Sequence, residues 1–245
     1  MNFHEKAAMG RFKTAHPGWV EITDKGHTPD DVLSPFIDKT VCAKQLYEKR
    51  ERDGAIKRVG GRYELSAFVE ECNRVRWASI LLDLTYQFIE REIERGGRPD
   101  FAIPKLRYTR AMIAIVLDDS KEKAFFVEEW IETDEGDRQF QKYVNNRHAT
   151  SCVPIGAPPK VHYLAEFLLF SQHVQWEKTK MMVFVSDYQG EGGLLTDPQI
   201  TTDSCVINLI PSRLSLTDIV NYQRFRQTLW CRKPPCGVHG ISRNS

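Results

Sequence analysis

The sequence has no apolar run approaching the roughly 18–20 residues of a membrane span. It has no excess of either charge: 34 Lys and Arg stand against 33 Asp and Glu, a formal +1. A broad nucleic-acid or membrane footprint needs a clustered basic surplus, so neither partner is expected. Residues 1–20 carry Glu5, Lys6, Arg11 and Lys13 without an apolar stretch, so no secretory signal is expected there. Cysteine is sparse. Of six, only Cys231 and Cys236 lie close together; Cys42, Cys72, Cys152 and Cys205 are scattered. That spacing excludes a disulfide-dense scaffold and points to reduced thiols in a cytoplasmic setting. Repeats and low-complexity tracts are missing too.

What remains is an ordinary globular composition. Hydrophobic residues are 41% and charged residues 27%, too apolar for a disordered chain. The length suits one large domain or a two-lobed one. Residues 8–46 read as strands joined by loops, with a turn expected at Pro17-Gly18. Residues 64–94 lack Gly and Pro. Leu65, Phe68, Val69, Cys72, Val75 and Ile80 recur there at helical spacing, which predicts one long helix or two abutting ones, stopped by Gly96-Gly97 and Pro99. Ala111–Leu117 and Ala124–Ile131 flank a charged turn and predict a hairpin. Residues 152–160 form a Pro-rich connector, 161–175 a helix, and Met181–Asp187 a buried strand. The order predicts an α+β fold with a lobe boundary after Ile131, and clefts between lobes favour ligand sites.

The segment Val183–Ile200 concentrates the chemistry. Asp187 and Gln189 are two apart on an extended chain and share one side. Gly190, Gly192 and Gly193 allow the backbone to bend and approach a ligand closely. Asp197 adds a second carboxylate. Two carboxylates and an amide oxygen are hard ligands of the kind Mg²⁺ accepts. A β-turn with a helix-capping aspartate would use the same residues. Lys44 sits inside an apolar strand, either snorkelling at a sheet edge or held over phosphates as a point charge. The second role needs an orienting carboxylate, and Glu70 and Glu71 are both available.

Asp187-Tyr188-Gln189-Gly190 followed by Leu195-Thr196-Asp197-Pro198 resembles the D-x-Q-G…L-T-D-P signature of the alpha-kinases, the atypical protein kinases that include the myosin-heavy-chain kinases. Phe170-Ser171-Gln172-His173 ahead of Trp176-Glu177-Lys178 is similar to the family's F-x-H-x-x-x-E stretch. Val127–Ile131 resembles its hinge, Lys142–Asn146 its K-Y-x-x-N element, Val41–Lys44 its nucleotide-lysine strand, and Gly10–Ala15 the start of its first strand. The resemblance covers residues 8–202 and implies a two-lobed protein-kinase-like fold, with an N-lobe of about 8–131, a C-lobe of about 132–202 and a nucleotide cleft between them.

The resemblance also implies roles. Lys44 would bind the α/β-phosphates of ATP. Glu128, Glu129 and Trp130 would meet adenine, largely through backbone groups. Asp187 would be the catalytic aspartate beside the hydroxyl of a protein substrate, with Gln189 and Asp197 holding Mg²⁺. Such chemistry rests on positioning and charge neutralisation.

The end of the chain departs from the family. No glycine occurs between Gly193 and Gly237, so the expected G-x-G-x-x-G loop is missing. The family's zinc module uses a helix histidine, matched by His173, and an H-x-C-x-x-x-C group. Here Cys231, Cys236 and His239 are spaced C-x4-C-x2-H. These three with His173 make a Cys₂His₂ zinc set by another route, or else residues 203–245 are a divergent end. That segment carries six basic residues against two acidic ones, a local +4.

Three functional readings follow: an ATP- and Mg-dependent Ser/Thr protein kinase, a pseudokinase-type nucleotide- or partner-binding module, and a metal-dependent hydrolase on Asp187 and Asp197. The last leaves Lys44 and the hinge-like segment unexplained. Metal analysis of the purified chain separates the two readings of the tail: the zinc set requires one zinc per chain, lost in Cys236→Ser.

Overall fold

The computed structural model describes residues 2–3, 8–10, 12–21, 33–49, 54–116, 123–132, 140–146 and 148–202. Its strands are β1 (Asn2–Phe3), β2 (Ala8–Met9), β3 (Lys13–Trp19), β4 (Thr40–Lys49) and β5 (Ile56–Arg58), followed by helix α1 (Gly61–Gly96). Then come β6 (Arg107–Tyr108), β7 (Ala111–Val116), β8 (Lys123–Glu129), β9 (Gln141–Asn145) and β10 (His148–Ser151). Helix α2 (Pro159–Lys178) precedes β11 (Val183–Glu191) and β12 (Leu194–Thr202).

The strands form two sheets. The first runs β1-β3-β4-β8-β7, with β2 on β3 and β5 on β4. The second runs β10-β9-β11-β12-β6. The expected α+β architecture is therefore present. β6 belongs to the second sheet, pairing parallel with β12, although it precedes two strands of the first. None of the described helices is long and apolar enough to cross a membrane.

Alternation on β4 and β8 explains how the first sheet is sandwiched. Val41, Ala43, Phe125 and Val127 face one side, where they pack with Phe36. Ala124 and Phe126 face the other, toward α1 and the main core. Both faces of β8 are buried, so it reads as a nearly continuous apolar run, whereas β4 buries Val41 and Ala43 on one face and is half-buried on the other. Along α1, Phe68, Glu71, Val75, Ala78, Leu81 and Leu82 fall on one face at helical spacing and all are buried. Phe68 stacks on Phe126 with ring centres 6.0 Å apart. The helix is single and unbroken, and Gly97, at φ 86, accepts the left-handed turn that ends it.

The β7–β8 hairpin pairing and α2 also agree with the sequence reading. The turn expected at Pro17-Gly18 is absent: β3 continues through both residues, opposite Cys42 and Val41 of β4. On its other edge β3 pairs with β2 at Thr14 and Ala15 and with β1 at Gly18 and Trp19. Pro17 falls between these two short pairings, where among the described residues no outer strand needs the N–H it lacks.

The Phe68–Phe126 stack ties α1 to the first sheet. Phe68→Ala is expected to lower unfolding stability by about 3–5 kcal/mol in chemical denaturation. A loss below about 1 kcal/mol would contradict the packing.

Candidate active site

Register on the α1-facing side of the first sheet places the charged groups. Lys44 of β4 lies opposite Ala15 of β3 and Phe126 of β8. Lys13, two residues before Ala15, and Glu128, two after Phe126, are therefore its diagonal neighbours on the same face. Lys44 is ion-paired with Glu128, not with Glu70 or Glu71. The sequence reading sought that carboxylate on the helix; it comes instead from the neighbouring strand, through a register that no local pattern reveals. Glu71 pairs with Lys13, which also reaches Asp197 at 2.9 Å.

Glu128 is 2% exposed. One of its oxygens takes Lys44; the other accepts hydrogen bonds from Thr109 and Thr196 hydroxyls, both at 3.0 Å. Its side chain points inward and anchors the lysine, while the adenine contact expected of Glu128 rests on backbone groups. Glu129, the last residue of β8, is held by Arg107 and by the Arg110 backbone N–H. Burial raises its pKa, but the hydrogen bonds from Arg107 and the Arg110 N–H, with the charges of both arginines, together outweigh this and keep it below the ordinary value. Trp130 follows, half-buried, just past the strand.

The second sheet supplies the rest. β11 and β12 form a tight hairpin about Gly192-Gly193. Gly190 has a use different from the expected ligand approach: a Cβ there would overlap the Leu194 carbonyl of its own hairpin partner. Two register breaks shape this hairpin. Ser186 and Asp187 together oppose Gln199, and two residues, Asp197 and Pro198, are fitted between the pairs Asp187↔Gln199 and Gln189↔Thr196. Asp197 adopts the left-handed region at φ 52, as do Asp38, Lys180 and Met181 elsewhere, a conformation uncommon for non-glycine residues but one Asp tolerates better than most. It is a strand bulge, not a helix cap.

This geometry brings Asp187, Gln189 and Asp197 together. The Gln189 amide nitrogen is 3.5 Å from the Asp197 carboxylate. Lys142 of β9 pairs with Asp187 and donates to Gln189 at 3.3 Å. Asp187 is 5% exposed. Burial raises its pKa, and Lys142 only partly offsets this. Asp197 behaves in the opposite way. Its partial burial favours the neutral acid, but Lys13 and then Lys44 outweigh this and hold its pKa below the usual carboxylate range. Burial likewise lowers the Lys44 pKa, yet Glu128, Asp197 and Glu71 raise it above the ordinary lysine value. Cys42, on the same face, has its thiol pushed up to about 11 by burial and stays protonated.

The cluster holds Lys13, Lys44 and Lys142 against Glu71, Glu128, Asp187 and Asp197. It is closed at the Lys44–Glu128 end and open at the other, where the Asp197 side chain is 42% exposed. The two carboxylates and one amide oxygen at the open end are hard donors that suit Mg²⁺. Neither Lys13 nor Lys142 has a role assigned from the sequence, and Glu71, a candidate partner of Lys44 there, pairs with Lys13 instead. The signal for Lys13 was present, as a second strand lysine beside the first-strand element, but only the β3–β4 register puts it next to Lys44.

Of the expected zinc set, only His173 lies among the described residues. His173 is half-buried on α2. Cys231, Cys236 and His239 lie outside the described residues, and among the described residues no three His, Cys, Asp or Glu side chains cluster as a metal site. Cys42, Cys72 and Cys152 are free thiols. A separate apolar cavity of about 490 Å³, between the end of α1 and α2 and lined by Phe88, Phe101, Phe167 and Phe170, contains none of the charged residues above.

The alpha-kinase family profile matches residues 34–218, and the chain belongs to that family. The fold agrees. The alpha-kinase domain of myosin heavy chain kinase A in complex with AMP superposes with a TM-score of 0.55 at 14% identity, covering 91% of this chain and 84% of that one. An inactive variant of the same domain, in complex with ATP, gives 0.56 at 13% identity over 91% and 84%. The ADP complex gives 0.54 at 14% over 90% and 81%. No curated protein sequence matches the chain. The family supports protein kinase activity, and the structures establish the fold.

Asp197 makes a testable contribution to stability. Its folded pKa is depressed below the ordinary 3.8, so the stability it adds is fully present above the unfolded value and is lost as pH falls through the folded one. In metal-free denaturant titrations, wild type is expected to exceed Asp197→Asn in stability near neutrality. The gap should narrow progressively below about pH 4. A gap that is constant with pH would remove the Lys13–Asp197 pairing as its cause.

Proposed function

We propose that this chain is an ATP- and Mg-dependent Ser/Thr protein kinase of the alpha type, moving the γ-phosphate of ATP to a protein hydroxyl. The observation that carries the reading is the Lys44–Glu128 pair facing the Asp187, Gln189 and Asp197 hairpin across one partly open cluster. The myosin-heavy-chain-kinase domains of the same fold, bound to AMP, ADP or ATP, support a nucleotide at this site.

Lys44, rigidly held by Glu128, would grip the α/β-phosphates. Lys13 would add a second positive charge as phosphate oxygens draw it away from Asp197. Glu129 and Trp130, at the end of β8, would border the adenine. Gln189 and Asp197 would hold Mg²⁺, which supplies neutralisation of phosphate charge when bound. Asp187 would accept the proton of the substrate hydroxyl as its oxygen bonds to the γ-phosphorus and the bond to the β-phosphate oxygen breaks, releasing ADP. Its burial makes it a stronger base than an exposed aspartate. Positioning and charge neutralisation are the main demands of this reaction, and the cluster meets both. The free thiols support a reducing, cytoplasmic setting.

Labelled ATP with Mg²⁺ and a basic protein substrate tests the reading. Wild type is expected to transfer label, and Lys44→Ala, Asp187→Ala and Asp197→Ala to lower kcat by roughly 10²–10³-fold or more. ATP binding without transfer in wild type would make the chain a binding module, as its missing glycine loop suggests. No ATP binding would end both readings.

A further inference from the structure

Asp187 can act only if β11 aims it correctly, yet β11 is interrupted at that point. Its pairing with β12 slips between Val185 and Asp187, and its pairing with β9 begins only at Tyr188. Among the described residues, no strand covers the outer edge of β11 at Val185. Two glutamines of α2 cover it instead. The Val185 N–H donates to the Gln175 side-chain oxygen at 2.9 Å, and the Gln172 amide donates to the Val185 carbonyl at 2.8 Å. The two amides lie three residues apart on one helix face and satisfy both the backbone donor and the backbone acceptor of one residue, as a neighbouring strand would.

Gln175 also reaches past Asp187. Its amide nitrogen lies 3.1 Å from the Tyr188 hydroxyl and 3.1 Å from the Ser171 hydroxyl. Ser171 is in turn 2.9 Å from Thr85 of α1. Gln175 thus holds the chain two residues before Asp187 and one residue after it. Thr85, Ser171, Gln172, Gln175 and Tyr188 are all 0% exposed, so this is a dry network in which each bond restricts geometry strongly. Packing alone does not explain the glutamines. The Gln172 side-chain oxygen is buried without a hydrogen-bond partner, a cost that an apolar residue would not carry.

We infer that Gln172 and Gln175 are positioning residues that set the aim of Asp187 by clamping Val185 and Tyr188. The inference deepens the kinase reading and rests on it for its catalytic consequence. The variants are Gln172→Met and Gln175→Met, which keep side-chain length and remove the amides. Leu168→Ala, fully buried on the same helix, serves as a control that weakens α2 packing without touching the clamp.

Hydrogen exchange is the first measurement. Each glutamine variant is expected to speed amide exchange over residues 184–187 by about tenfold or more, while β12 keeps its protection. Turnover is the second. At a temperature where all variants are folded, kcat is expected to fall about 10–100-fold in the glutamine variants, with KM for ATP within about twofold. Leu168→Ala should lower Tm but leave kcat within about twofold. Unchanged exchange at 184–187 would overturn the inference. So would a kcat loss no larger than that of Leu168→Ala at equal Tm loss. If wild type transfers no phosphate, the kinase reading fails, and exchange alone then decides the clamp.

Discussion

The carboxylate of Glu128 is the interaction on which the two sheets and the site both depend. It sits on β8 of the first sheet, pairs with Lys44 on β4, and accepts hydrogen bonds from Thr109 and from Thr196 on β12 of the second sheet. A buried carboxylate is expensive unless every oxygen is satisfied. Here both are, by an ammonium group and two hydroxyls drawn from three segments. Removing one partner of a buried pair leaves an uncompensated charge and costs roughly 3–5 kcal/mol. Lys44 is therefore fixed by the same contact that joins the sheets. Thr196 immediately precedes Asp197, so the contact also locates the bulge that turns Asp197 toward Lys13.

The rest of the cluster is graded in strength. Lys44–Glu128 is nearly closed to solvent, while the Asp197 and Lys142 side chains are 42% and 37% exposed. A partly exposed pair is screened more than a buried one. The inner pair behaves as framework. Each outer pair, Lys13 with Asp197 and Lys142 with Asp187, has one partner 21% or less exposed, so it opens only to a ligand that offers each group a comparable partner. An incoming polyphosphate with its cation offers such partners: anionic oxygens for the lysines and a metal for the carboxylates.

Much of the fold was legible in the sequence because it is local. The period of α1 and its glycine stop, the paired apolar runs of β7 and β8, and the D-Y-Q-G…L-T-D-P spacing can all be read within short windows. What failed was set by partners far along the chain. The turn at Pro17-Gly18 did not form because β4 holds β3 extended through it. Lys44 found Glu128, not a helix glutamate, because strand register places residue 126 opposite residue 44. Lys13 and Lys142 each lie in an element that resembles the family's, but neither element says what its lysine meets, since a strand lysine alone reads as an edge or snorkelling residue.

Like charges at neighbouring strand positions repel, so Lys13 beside Lys44 is unfavourable on β3 and β4 alone. The arrangement is sustained by carboxylates from three other elements: Glu71 on α1, Glu128 on β8 and Asp197 on β12. Each neutralises part of the pair, and none could do so before its own element is docked. The two lysines therefore become tolerable only when the helix and both sheets are in place. Fold and site are in this sense one interaction. Any ligand that takes over the role of Asp197 must bring comparable negative charge to the same two ammonium groups.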